Sequence, residues 1–228
     1  MVLVGRCVQT VVVEQPARLT GPMGWWESRV VPRLVDVSLR GHEIGAWRAA
    51  CCTGLRGGVL EIGFGSGLNT RFYPTEVGSV DAVEPSDRGW AMSERRRAKS
   101  ATDVRRVGLD GQRLRADDAA YDSVLCTFTL CTIPDPALAL SEVRRVLRPG
   151  GRLHLLEHGR AEDPRVQRWQ RRLEPVQRRV AGGCHLTRDP IELATAAGFD
   201  VNVIRQAYLL PQRAAAPMAW GHLATATC

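Results

Sequence analysis

Long hydrophobic runs are missing from this chain of 228 residues. No window approaches the roughly 18 consecutive apolar residues of a membrane span. Met1-Val2-Leu3-Val4 gives way at once to Gly5 and Arg6, which lacks both the basic start and the apolar stretch of a signal peptide. A cytoplasmic protein without a transmembrane segment is the expectation. Lysine is nearly absent: Lys99 is the single one among 31 basic residues. The excess over 24 acidic residues gives a formal charge of +7. Arginines and acids are interleaved, however, and Arg95-Arg96-Arg97 is the only run of three. Such dispersed charge argues for solvated faces and against a nucleic-acid groove. The seven cysteines are Cys7, Cys51, Cys52, Cys126, Cys131, Cys184 and Cys228. They form no Cys-x-x-Cys and have no histidine at zinc-ligand spacing, so free thiols are expected and no metal site. What remains is ordinary globular composition, 44% hydrophobic and 24% charged, enough to bury a core without disulfides.

Organisation changes along the chain. Residues 1–22, punctuated by Pro16 and Gly21-Pro22, read as an N-terminal extension with one short strand over Val8–Glu14. Residues 23–228 read as one domain that begins with helices. Trp26, Val30, Leu34, Val37, Ile44 and Trp47 recur at three- and four-residue spacing, and Pro32 and Gly41 divide the stretch into two or three pieces. After Gly57-Gly58, strands alternate with helices. Val59–Ile62, Val80–Glu84, Val104–Leu109, Tyr121–Phe128 and Leu153–Glu157 are the strands; helices run through Arg97 and over Pro136–Leu147. This alternation makes a parallel sheet covered on both faces. Asp163-Pro164 opens a further helix, kinked at Pro175, whose stripe Val166, Trp169, Leu173, Val176 and Val180 is either core packing or a lid. Ile191–Ala197 is a short helix stopped by Gly198. Val201–Ile204 and Met218–Leu223 then close the sheet as a hairpin.

The sharpest signal is Val59-Leu-Glu-Ile-Gly-Phe-Gly-Ser-Gly-Leu. A strand running into Gly63, Gly65 and Gly67 lets a ligand approach the backbone closely. The dinucleotide fingerprint would need a glycine where Leu68 stands, and Glu61 lies inside the strand instead. This Glu-x-Gly-x-Gly-x-Gly form resembles the first motif of class I S-adenosylmethionine-dependent methyltransferases. The resemblance implies that Glu61 orients the loop or the cofactor's amino group, and that Gly63, Phe64, Gly65, Gly67 and Leu68 surround its aminoacyl part. Glu84, followed by Pro85 at the tip of the second strand, matches the carboxylate that accepts both ribose hydroxyls. Asp110-Gly111 matches the adenine contact, and Cys126 ends the fourth strand as part of the cofactor's wall. Leu147-Arg148-Pro149-Gly150-Gly151 matches the turn before the fifth strand. The fold implied is Rossmann-like α/β: a mostly parallel seven-stranded sheet with helices on both faces and a C-terminal β-hairpin.

Further segments are similar to a methyltransferase-like family that includes animal thiol methyltransferases and bacterial relatives. They are Arg71–Pro74, Cys126–Cys131, Leu156-Glu157-His158, Leu173-Glu174-Pro175 and Gly183-Cys184-His185-Leu186-Thr187-Arg188. That resemblance implies S-adenosylmethionine as cofactor and a small, lipophilic acceptor: a thiol, phenol or amine. The animal members carry a hydrophobic anchor with no counterpart in this sequence, so thiol specificity and membrane attachment are not carried over. Peripheral membrane contact through the arginine-rich helix stays open. Attack on a sulfonium methyl needs alignment above all. His158, at the end of the fifth strand, is the candidate base or acceptor-positioning residue, its alternative being a histidine satisfied at a strand end. His185 reads as a loop hydrogen-bonder. The rival functions are methylation of RNA or protein and a non-catalytic cofactor binder. The first is disfavoured by Thr129-Leu130-Cys131-Thr132 where an Asn/Asp-Pro-Pro-Tyr signature would stand. A nicotinamide oxidoreductase is disfavoured by Leu68.

Overall fold

A strand covered on both faces needs apolar side chains at nearly every position, and the central strands meet that demand. In the computed structural model, which describes residues 22–228, β1 (Gly57–Ile62), β2 (Val77–Val83), β3 (Asp103–Gly108), β4 (Tyr121–Thr127) and β5 (Leu147–His158) pair in parallel. β6 (Asp200–Tyr208) and β7 (Trp220–Thr227) form the antiparallel hairpin, with β7 inserted beside β5. The resulting order is β3-β2-β1-β4-β5-β7-β6. The expected sheet, mostly parallel with a terminal hairpin, is therefore the one formed. The extension over residues 1–22, including the strand expected at Val8–Glu14, lies outside the described residues but for Pro22.

Between β1 and β4 the chain order reverses, and in open α/β sheets the carboxyl ends of the strands at such a switch point are where ligands bind. On one face Leu60, Ile62, Val124, Leu153 and Leu155 pack against Leu140, Val143 and Ala194, which belong to α6 (Pro136–Val146) and α8 (Pro190–Ala196). On the other, Val59, Val80, Leu125 and Leu156 meet Trp47, Cys51 and Cys52 of α3 (His42–Cys52). The helix expected through Arg97 is two pieces, α4 (Asp87–Met92) and α5 (Glu94–Ala98). The N-terminal stretch is a helical run made of α1 (Pro22–Trp25), a π turn over Trp26–Val30 and α2 (Val31–Leu39), broken from α3 near Gly41.

α7 (Pro164–Val180) starts where Asp163 Oδ1 accepts the Arg165 amide at 2.7 Å, and it continues through Pro175. Its apolar stripe is not core. Trp169 is 54% exposed and Val176 60%, because Gln170 is the residue α7 buries. Gln170 Nε2 donates to the carbonyls of Gly159 (2.8 Å) and Pro217 (3.1 Å), and its Oε1 accepts from Ala161 N at 3.0 Å. A polar side chain satisfied on every side can be buried; periodicity alone points to the apolar face instead. Among the described residues no helix is long and apolar enough to cross a membrane.

Candidate cofactor and acceptor site

The chain leaves β1 through Gly63, Gly65 and Gly67, all at positive φ (73°, 57° and 75°), where side-chained residues are strained. A Cβ on Gly63 would lie 1.9 Å from Thr129 Oγ1, so this glycine lets the β4 loop sit against β1. A Cβ on Gly65 would meet only the Gly63 carbonyl, at 3.9 Å. A side chain there would therefore point into nearly open space. Phe64 turns inward and packs on Trp90 at 5.4 Å between ring centroids; it supports the loop from behind, and Leu68 is half-buried.

Glu84, just past β2, is buried, with Oε2 accepting Gly65 N at 2.6 Å and Oε1 accepting Ser86 N at 2.7 Å. Burial pushes its carboxyl pKa up; the two backbone amides and nearby Arg106 oppose that. Each carboxylate oxygen retains a lone pair beyond these bonds. Pro85 is exposed beside it. Asp110 is exposed with Oδ1 accepting Gln112 N at 2.9 Å, and Gly111 packs so close to Ile62 that a Cβ would come within 2.8 Å. Cys126, at the end of β4, turns its Sγ inward to 3.5 Å from Glu157 Oε1 in the core.

Beneath the loop lies a network that sequence spacing does not reveal. Glu61 is buried; Asn69 Nδ2 donates to its Oε1 at 3.0 Å and the Tyr73 hydroxyl to its Oε2. The Arg48 guanidinium donates to Asn69 Oδ1 at 2.7 Å and Thr127 Oγ1 at 3.1 Å. Burial pushes the Glu61 carboxyl up to about 7, against the pull of Tyr73, Asn69 and Arg48. Through Asn69 and Tyr73, Glu61 is tied to the segment that follows the glycine loop. Phe128 carries φ 54° immediately after β4, a rare conformation for a bulky residue, with Arg48 5.1 Å above its ring. Strain of this kind gathers at functional edges.

A second unforeseen tie is Asp36 of α2. It accepts from Ser66 Oγ at 2.6 Å and Arg96 Nη1 at 2.7 Å, while Arg96 also reaches the Ser66 carbonyl at 2.9 Å. Burial raises its pKa, but Ser66 and Arg96 outweigh that and hold the carboxyl below its usual range. Trp26 Nε1 donates to the Val180 carbonyl at 2.9 Å, so the N-terminal run spans from the end of α7 to the glycine loop. Asp36→Ala is expected to weaken binding of S-adenosylhomocysteine about tenfold, the worth of one charge-assisted hydrogen bond. Hydrogen exchange over residues 31–39 should quicken with it; calorimetry and exchange both unchanged would show that α2 does not brace the loop.

At the end of β5, half-buried His158 places Nε2 3.1 Å from Cys184 Sγ. Cys131, Cys184 and His158 bring their ligand atoms within 4.8 Å of one another. Cys131 and, more weakly, His158 hold the Cys184 thiol below its ordinary range. Glu157 Oε1 accepts the amides of Thr129 (2.8 Å) and Leu130 (3.0 Å) and pins the β4 loop. His185 Nδ1 lies 3.0 Å from Glu174 Oε1, the loop bond anticipated for it.

A seven-stranded sheet in this order, with a glycine cradle at the tip of β1 and acidic residues past β2 and β3, defines an α/β cofactor-binding protein of the methyltransferase fold. The family model described as "Methyltransferase domain" matches residues 60–155. The human thiol S-methyltransferase TMT1B is 37% identical over 165 residues, 68% of this chain and 66% of that one; the rat TMT1B is 36% identical over 137 residues, 58% and 55%. The chain thus spans between about half and two thirds of the length of these relatives. Among solved structures, an S-adenosylmethionine-dependent methyltransferase from Thermotoga maritima superposes with a TM-score of 0.63 at 19% identity, covering 89% of this chain and 99% of that one. The chain belongs to the class I S-adenosylmethionine-dependent methyltransferases, with S-adenosylmethionine as its cofactor.

Proposed function

We propose that the protein methylates the sulfur of a small, lipophilic thiol. When bound, the cofactor supplies an activated methyl group on a sulfonium centre. The Gly63–Gly67 backbone cradles its aminoacyl part, Glu84 accepts from its ribose, and Asp110-Gly111 borders its adenine. Alignment is the main contribution such a site makes to the rate. His158 Nε2 is already engaged by Cys184, so we assign it to positioning the acceptor and not to direct proton removal.

The observation that carries the thiol choice is the similarity to proteins named thiol S-methyltransferases, 31–37% identical over 58–71% of this chain. Cys131, His158 and Cys184, whose ligand atoms lie within 4.8 Å of one another, are assigned to the acceptor side on this reading. Many surface arginines have acidic partners, such as Arg145 with Glu142 and Asp118, and Arg148 with Asp122. That pairing supports a small acceptor over RNA. The test is methyl transfer from labelled S-adenosylmethionine to matched alkyl thiols, phenols and amines of equal chain length. Thioether formation is expected; transfer to the phenol or amine alone would overturn the choice of sulfur.

A further inference from the structure

Three residues far apart in sequence converge beside the cofactor edge. Cys131 lies in the loop after β4, two residues past the Thr129 that abuts Gly63. His158 ends β5, and Cys184 follows α7. Their ligand atoms sit within 4.8 Å of one another, with 3.1 Å between Cys184 Sγ and His158 Nε2. In a tetrahedral zinc site with metal–sulfur bonds near 2.3 Å and metal–nitrogen bonds near 2.0–2.1 Å, ligand atoms stand roughly 3.5–3.8 Å apart. Shifts of about an ångström or less would convert one arrangement into the other.

The donor set selects the cation. Two thiol sulfurs and an imidazole suit zinc and other soft ions, and no carboxylate is present to favour magnesium or calcium. The number of ligands selects the type of site. Closed structural sites use four protein ligands, whereas sites that act on a substrate use three and keep one position open. Among the described residues this cluster has three. The sulfur ligands have neighbours that hold them, since Gln177 Nε2 lies 3.7 Å from Cys184 Sγ and the Cys131 carbonyl accepts His185 N at 2.9 Å, whereas the buried His158 Nδ1 has no hydrogen-bond partner among the described residues.

We propose that Cys131, His158 and Cys184 form a three-ligand Zn²⁺ site on the acceptor side, whose fourth position takes the sulfur of the acceptor thiol. This rests on the thiol reading above and deepens it. On binding, the acceptor's S–H bond breaks, its sulfur takes the fourth position from a water molecule, and the proton leaves to the buffer. A metal-bound thiol is deprotonated outright. The site would therefore present a thiolate at neutral pH without a dedicated base, which fits a histidine whose Nε2 is turned toward the cluster.

The test uses the full chain, reduced and stripped with a chelator, titrated with Co²⁺ as a spectroscopic probe. One equivalent should bind with an intense thiolate-to-cobalt charge-transfer absorption that Zn²⁺ displaces. Cys184→Ser and Cys131→Ala should each weaken Co²⁺ binding by more than the roughly 10–100-fold typical of losing an outer-shell partner. Retained calorimetric binding of S-adenosylhomocysteine would show that both variants are folded. Adding thiophenol to the cobalt-loaded protein should intensify the charge-transfer band and release a proton. Absence of the band, or variants that bind Co²⁺ like the parent, overturns the metal site; thioether formation persisting in the chelated protein would then leave the thiol reading intact. A band that thiophenol leaves unchanged overturns the acceptor role. If thioethers also fail to form, the thiol reading falls while the metal site stands.

Discussion

Glu84→Ala should weaken binding of S-adenosylhomocysteine by roughly 10²–10⁴-fold. On the proposed placement of the ribose, the carboxylate accepts two charge-assisted hydrogen bonds of roughly 1.5–3 kcal/mol each, about 3–6 kcal/mol in all, and each 1.4 kcal/mol is about tenfold in affinity. The same side chain also fastens the loop, through Gly65 N at 2.6 Å and Ser86 N at 2.7 Å. Glu84→Gln separates the two contributions. It keeps one acceptor oxygen but puts an NH₂ where the second bond must be accepted, so an intermediate loss is expected. Calorimetry with adenosine as a second ligand locates the effect: adenosine should lose affinity in proportion, because it carries the same ribose. Unchanged affinity in Glu84→Ala would remove the ribose from this position.

Arg48→Ala should cost about 3–5 kcal/mol of stability at pH 8, the range for breaking a buried charge interaction by deleting one member. For a chain of this length that is a fall in Tm of roughly 6–20 °C. Arg48 is buried among Asn69, Thr127 and the Phe128 ring, and its charge is the cation that favours ionised Glu61. The other titratable groups facing Glu61 are Tyr73, Cys51, Cys52 and Glu84. The pH dependence follows from burial, which raises the Glu61 pKa to about 7 in the folded chain, against an unfolded value near 4.3. Between those values the native state holds the proton and the unfolded state does not, so this group's contribution to stability falls as pH rises toward 7 and is level above. Without Arg48 the ionised form is less favoured still. The variant's deficit should therefore shrink at pH 5, where Glu61 is protonated in the fold. A deficit equal at pH 5 and pH 8, measured by denaturant titration, would mean that Arg48 acts through packing and hydrogen bonds alone.

The signals that sequence carries well are local ones. A run such as Val59–Ile62 leading into alternating glycines encodes a buried strand and a left-handed turn within ten residues. Glu84 and Asp110 follow strands of the same kind, so their places past β2 and β3 are legible. Helix starts at Asp135-Pro136, Asp163-Pro164 and Asp189-Pro190 are equally local, because capping acts over two or three residues. Periodicity left α7 open between core packing and a lid: an apolar stripe marks a face that can be buried, and only the neighbours decide whether it is. There Gln170 found three backbone partners and took the inside position.

By itself, then, the sequence determined the strand–helix alternation, the parallel sheet with its hairpin, the glycine cradle and its acidic companions, and hence the cofactor class. Only the tertiary structure decided that Arg48 serves Glu61, that Asp36 fastens α2 to Ser66, and that Cys131, His158 and Cys184 meet. His158 and Cys184 are 26 residues apart in the chain and 3.1 Å apart in space. The physical reason is the crossover connection. Parallel strands return every chain segment to the same edge, so residues separated by whole helices converge there while no short-range spacing records the meeting.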